Sequence, residues 1–175
     1  MDIFIEKIVK KKMDVNDALI IGGTISLGII LSVAIIFFLG PYGTSFLLCA
    51  AIGYLAYIII SSRKVEFEYA LTNGELDIDK IVNKKKRKNI INVNCREFEI
   101  FARADSDKIS KYVEEIEDKI IAVSSLDSED VYAFVAKKKS DEDGGTQTKK
   151  VVVFFEPNEK MLKSIKMMIP GKVFE

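Results

Sequence analysis

Hydrophobic and charged positions are segregated along this chain. Residues 18–62 contain no Asp, Glu, Lys or Arg at all. Within them Leu19 to Leu39 is an apolar run of 21 residues, and roughly 20 residues rising about 1.5 Å each cross the hydrocarbon core of a bilayer as a helix. Gly40-Pro41-Tyr42-Gly43 interrupts the run, because proline lacks a backbone donor and glycine admits turn conformations. A second apolar run, Thr44 to Ile60, follows at once, and Ser61 and Ser62 extend it toward headgroup level. The pattern predicts a two-helix transmembrane hairpin over 18–62, with spans at about 19–39 and 44–61.

The first 17 residues carry four acids, and no small-x-small cleavage signal stands near Leu39, so the first run is expected to be a lasting span and not a signal sequence. Lys7, Lys10, Lys11 and Lys12 precede the first span, Arg63 and Lys64 follow the second, and the connecting turn is uncharged. Basic flanks face the cytoplasm, so the expected arrangement is a multi-pass cell-membrane protein with both termini cytoplasmic. Residues 1–17 form a basic amphipathic segment in which Met1, Phe4, Ile5, Ile8 and Val9 recur at helical spacing. This predicts a short interfacial helix, with Asn16 or Asp17 capping the first span.

Beyond position 62 the periodicity changes. Val65, Phe67, Tyr69 and Leu71 hold one parity, alternating strictly at first with Glu66 and Glu68, Asn73-Gly74 provides a tight-turn signal, and Leu76 and Ile78 resume the alternation, so a β-hairpin is predicted. After the basic block Lys84 to Lys88, the inward parity of Ile91, Val93 and Cys95 gives way to that of Phe98, Ile100 and Ala102, placing a bulge or bend near Arg96 and Glu97. Over Asp105 to Glu117 the pattern changes: Ile109, Tyr112, Val113, Ile116 and Ile120 recur at 3.6-residue spacing behind Ser106, which predicts a short helix. Lys119 to Ser125 carries overlapping helix and strand signals. Val131 to Lys137 and Val151 to Phe155 are apolar on both parities, as in strands covered on two sides, with a long hairpin loop expected between them. Met161, Leu162, Ile165, Met168 and Ile169 form a closing amphipathic helix over Asn158 to Ile169, stopped by Pro170-Gly171. Residues 63–175 are thus expected to form one soluble, mainly-β (α+β) domain, capped by its last helix.

Composition then removes most enzymatic chemistry. The chain has no histidine, no Gly-rich phosphate loop and no Gly-x-Ser-x-Gly, so a non-enzyme is expected. Cys49 lies in the second span and Cys95 in the domain, so neither a disulfide nor a zinc site is expected. Asp141, Asp143 and Gly144 lack the later glutamate of a calcium loop, Lys150 standing in its place, and no cofactor or metal is predicted. Glu66/Glu68, Asp77/Asp79 and Glu97/Glu99 share strand faces, which an ordinary solvent face explains. The whole chain balances 26 basic against 26 acidic residues, and nucleic acid is not an expected partner.

The strands from Val65 to Phe155, followed by Glu159-Lys160-Met161-Leu162-Lys163-Ser164-Ile165, resemble a bacterial pleckstrin-homology-like (PH-like) domain, and the two preceding spans resemble uncharacterised membrane proteins that carry one. The stretches Glu68-Tyr69-Ala70-Leu71-Thr72-Asn73-Gly74-Glu75-Leu76-Asp77 and Phe155-Glu156-Pro157-Asn158-Glu159 carry the likeness. The resemblance implies an antiparallel, partly open barrel plugged by the C-terminal helix, serving as a docking surface for lipid or protein. Phosphoinositide-binding members flank a longer first hairpin loop with basic residues. Here Asn73-Gly74 is tight and flanked by Glu75 and Asp77.

The basic block is the feature with positional meaning. The first strand leads away from Arg63 and Lys64, and the second returns to deliver Lys84, Lys85, Lys86, Arg87 and Lys88 beside them. An anionic leaflet attracts each such charge by about 1 kcal/mol. These seven residues are the expected lipid-headgroup contacts. The expected function is a membrane-tethered, non-enzymatic docking module at the cytoplasmic face, with membrane lipid and an unidentified protein as partners and no small-molecule substrate. The alternative is an integral subunit or regulator of a larger membrane complex, bound through the hairpin.

Overall fold

The computed structural model describes residues 4–142 and 145–174. They divide into two compact units. One holds 1–11, 66–81 and 86–175, and the other holds 12–65 and 82–85.

The second unit is built on two helices, α1 (Val15–Leu39) and α2 (Gly43–Ser62). Both are long and apolar enough to cross a membrane. α1 starts earlier than its apolar run because the carboxylate of Asp14, not that of Asn16 or Asp17, caps it, accepting from Val15 N–H at 2.7 Å. Asp17 is instead buried in the first turn and lies 4.0 Å from the guanidinium of Arg63, so an ion pair joins the start of α1 to the residue that ends α2. Gly40 at φ 73 ends α1, and Ser45 Oγ donates to Gly40 C=O at 2.6 Å, tightening the connection.

The other unit carries two sheets. β1 (Phe4–Lys10), β2 (Val65–Thr72), β3 (Glu75–Val82) and β4 (Lys86–Asn94) form a four-stranded sheet in that order. The expected interfacial helix at the N-terminus is therefore a strand. It pairs antiparallel with β2 from Phe4↔Thr72 to Lys10↔Glu66. A dozen residues form a marginal helix without support, whereas a strand edge satisfies every backbone group it pairs. Pairing divides the apolar residues between two faces: Val9 is buried while Phe4 and Ile8 face outward. The β2–β3 hairpin turns at Asn73 and Gly74, both at positive φ as its sequence predicts.

β4 also contains an irregularity. Asn89 Nδ2 donates to Asp79 and Asn92 Nδ2 to Asp77, which puts residues of opposite parity on one face. One extra residue is accommodated at Ile90-Ile91, a bulge that restores inward Val93 and Cys95. At Arg96 and Glu97, where a bend was expected, a 3₁₀ turn over Cys95–Glu97 carries the chain out of the first sheet, its start capped by Asn94.

The second sheet has the order β6 (Lys119–Ala122), β8 (Gly145–Phe155), β7 (Tyr132–Glu142), β5 (Ile100–Arg103) and β9 (Val173–Phe174). β6 pairs parallel with β8, and β9 pairs parallel with β5. The expected antiparallel, partly open barrel is corrected here: the nine strands among the described residues make two sheets that are not closed into a barrel, the 3₁₀ turn separating β4 from β5, and two of the pairs are parallel. The expected long loop between β7 and β8 is shorter, since their ladder extends to Glu142↔Gly145; Asp143 and Gly144 of the rejected calcium loop lie outside the described residues.

The second sheet is covered on both faces, as its doubly apolar strands require. Phe101, Phe134 and Phe155 meet Tyr69 and Phe98 on one face, with Phe98 stacked on Phe134 at 4.1 Å and Tyr69 edge-on to Phe155 at 5.6 Å. On the other, Ala102, Val135 and Phe154 pack with Ile109, Tyr112 and Val113 of α3 (Asp107–Glu115). α4 (Glu159–Met168) starts at Asn158, whose side chain accepts from Met161 N–H at 2.8 Å, and buries Met161 and Ile165, with Ile169 just beyond it. A Cβ on Gly74 would stand 3.1 Å from Met168 Sδ, so the end of α4 closes against the β2–β3 turn.

Candidate functional site

The β3–β4 turn is built from Asn83, Lys84 and Lys85. Asn83 and Lys84 lie at φ 52 and 55, and Lys85 N–H returns to Val82 C=O at 3.1 Å. Asparagine tolerates this left-handed region well, whereas lysine gains nothing from it locally. Asn83 N–H donates to Lys64 C=O at 2.8 Å, which ties the turn to the residue after α2 and Arg63. Lys64, Lys84 and Lys85 are exposed and belong to the same compact unit.

The rest of the basic block is strand, not loop. Lys86, Arg87 and Lys88 open β4, and all three are exposed. Arg87 turns onto the outer face of the sheet, where its guanidinium bonds the carboxylates of Glu68 and Asp79, the latter at 2.7 Å. Two carboxylates 14% and 18% exposed hold this cation in place. Arg63 is likewise engaged, by Asp17 and by Ser62 Oγ at 3.4 Å. Among the seven basic residues named from the sequence, the two arginines thus serve structural ion pairs. Lys64, Lys84, Lys85, Lys86 and Lys88 have no ion-pair partner among the described residues.

Two of the acidic pairs, Glu66/Glu68 on β2 and Asp77/Asp79 on β3, share strand faces, whereas Glu97 ends the 3₁₀ turn and Glu99 follows it outside any strand. Asp77 and Asp79 accept from Asn92 and Asn89, and Glu99 accepts from Lys150 Nζ at 2.9 Å, holding the Lys150 ammonium above its usual range. Sequence reasoning missed Asp17, Glu68 and Asp79 as partners of the arginines. Asp79 and Glu68 carried a usable signal, because the two-residue Asn73-Gly74 turn sets them opposite each other; Asp17 carried none.

Inside the domain two polar groups need explanation. Glu156, within the Phe155 to Glu159 stretch, is buried, and its Oε1 accepts from Ser124 N–H at 2.9 Å and Ser124 Oγ at 2.7 Å. The Tyr69 hydroxyl donates to Ala122 C=O and accepts from Glu156 N–H at 3.4 Å, and burial pushes its phenol well above the ordinary range. Together they staple β2 to the ends of β6 and β8. Burial also pushes the Cys95 thiol up to about 12, which makes it an inert packing group. No cluster of His, Cys, Asp or Glu suited to a metal occurs among the described residues.

Comparison with curated proteins and with solved structures gave no match. A family model described as a bacterial PH-like domain (DUF6106) matches residues 1–175, hairpin included. Domains of PH-like type are docking or binding modules and generally not enzymes. With its helix-capped sheets, its two apolar helices and a match along its whole length, the chain belongs to the bacterial PH-like domain family DUF6106.

Proposed function

We propose that this chain is a membrane-tethered, non-enzymatic docking module, whose α1 and α2 cross the cell membrane and whose PH-like domain meets protein partners and anionic lipid at the cytoplasmic face. The observation that carries this reading is the pairing of β1 with β2. β1 precedes the first apolar helix and β2 follows the second, yet their ladder runs over seven residue pairs. Strands that share backbone hydrogen bonds occupy one aqueous compartment, so a bilayer crossed by the hairpin has both flanks on one side. The lysines before α1 and the basic pair after α2 select the cytoplasmic side. In this arrangement Lys64, Lys84, Lys85, Lys86 and Lys88 supply the lipid attraction at about 1 kcal/mol each, while Arg63 and Arg87 contribute less because carboxylates already neutralise them.

Reporters fused before Met1 and after Glu175 are expected to read cytoplasmic, and an external signal from either end overturns the topology. For the lipid contact, the full chain in nanodiscs of phosphatidylglycerol should show slower amide exchange over 82–88 than in phosphatidylcholine. That difference should vanish when Lys84, Lys85, Lys86 and Lys88 become Gln, and at 1 M salt, where the Debye length is about 3 Å. Equal exchange in the two lipids would confine docking to protein partners.

A further inference from the structure

Three lysines, one of them Lys88 of the basic block, gather at a surface cleft of the domain. Lys80, Lys88 and Lys138 line a cleft of about 320 Å³ together with Phe67, Ile90 and Ile121, and no Asp or Glu lines it. The strand registers explain the convergence. Asn89 bonds Asp79 on the outer face, so their neighbours Lys88 and Lys80 stand opposite each other on the inner face. The Asn73-Gly74 turn sets Phe67 opposite Lys80 in the same row. From the second sheet, Lys138 continues the face that carries buried Phe134 and Ala136, and its cross-strand partner is Lys149.

Such an arrangement works against folding. Like charges placed directly opposite in a sheet are destabilising. Lys80, Lys88 and Lys138 make no ion pair with any described residue. Lys80 also holds a parity that Leu76 and Ile78 devote to the core, where an apolar residue would pack at no electrostatic cost. A surface that concentrates ammonium groups in a concave, acid-free setting favours an anion between them.

We infer that this cleft binds a phosphate monoester carrying an apolar group. Three ammonium groups match a phosphoryl group of about −1.5 to −2 charge better than a carboxylate of one charge, and lysine engages phosphate as a point charge without a fixed fork. Phe67, Ile90 and the half-exposed Ile121 offer the apolar wall for the organic part. The same chemistry is presented by a soluble phosphomonoester and by the headgroup of phosphatidic acid. This inference does not depend on the topology proposed above.

The test uses the full chain in phosphatidylcholine nanodiscs titrated calorimetrically with phenyl phosphate. Saturable one-to-one binding is expected, weaker by about tenfold or more in Lys80→Gln/Lys88→Gln, weaker by several-fold in Lys138→Gln, and unchanged in Lys163→Gln. Benzoate should bind less tightly than phenyl phosphate. Without ligand, the double variant should melt at or above the wild-type temperature because repulsion has been removed, whereas phenyl phosphate should raise only the wild-type melting temperature. Phosphatidic acid added to the nanodiscs competes with phenyl phosphate if the lipid headgroup is the source, and leaves it undisturbed if the source is soluble. Absence of saturable phenyl phosphate binding, or equal affinity in the double variant, overturns the inference.

Discussion

The helical hairpin and the β-domain use the same apolar side chains in opposite ways. Phe37 and Phe38 on α1 are each 80% exposed, whereas Phe98, Phe101, Phe134 and Phe155 in the domain are fully buried. α4 presents one stripe, Met161, Ile165 and the following Ile169, and turns Lys160 and Lys163 away. α1 and α2 are apolar all round and cover each other only along their common seam, where Thr24, Gly28, Ile52 and Ala56 line a cleft of about 220 Å³. A helix with one apolar stripe is made for the edge of a water-soluble core, and one apolar on every side is made for a surrounding that is itself apolar. The comparison therefore sets a one-sided apolar surface against an all-round one within one chain, and the proposed membrane location of the second can be tested position by position.

The largest effect is expected from equal truncations in the two regions. Phe134→Ala should destabilise the domain by roughly 3–5 kcal/mol, through lost burial and the cavity left behind. Phe38→Ala, read in the same denaturant titration of domain unfolding, should change it by less than about 0.5 kcal/mol. Similar losses from both would break the comparison. Next in size is Ile30→Arg on α1, which should cost roughly 2.5–3.5 kcal/mol of membrane insertion and shift protein out of the carbonate-resistant membrane fraction. A variant that stays fully in that fraction would count against a bilayer around the second surface.

A smaller effect sharpens the contrast from the domain side. Burial raises both the Cys95 thiol, to about 12, and the Tyr69 phenol. Each group keeps its proton in the fold at a pH where the unfolded chain has released it. Stability from these groups is therefore complete below the unfolded thiol pKa of about 8.5, and is lost above it at up to about 1.4 kcal/mol per pH unit for each titrating group. The domain's melting temperature should fall between pH 9 and pH 11, and Cys95→Ala should flatten the start of that fall. A level melting temperature up to pH 11 would mean that water reaches this core. Smallest of all, Arg87→Gln should cost at most about 1 kcal/mol in a salt-sensitive manner, because the guanidinium side chain is 54% exposed and its attraction to Glu68 and Asp79 is screened.

What the sequence determined by itself is whatever rests on near neighbours in the chain. Forty-five uncharged residues dictate two apolar helices, since a helix satisfies its own backbone and needs no partner to be recognised. Asn73-Gly74 dictates its turn through positive φ, and the stripe ended by Pro170-Gly171 dictates α4. The double-sided apolar runs of β7 and β8 announced a sheet covered on both faces. The tertiary structure alone decided matters that depend on distant partners. Whether Phe4 to Lys10 became helix or strand was settled by an edge more than fifty residues away in β2. The parallel pairs β6–β8 and β5–β9, the extra residue at Ile90-Ile91 and the separation into two sheets likewise follow from non-local hydrogen bonding, which a local pattern does not encode. The candidate site divides in the same way. Its lysines were visible as a charge run, but which cations stay unpaired was decided by Glu68, Asp79 and Asp17 arriving from other elements, because an ion pair is a property of two positions and the sequence shows them one at a time.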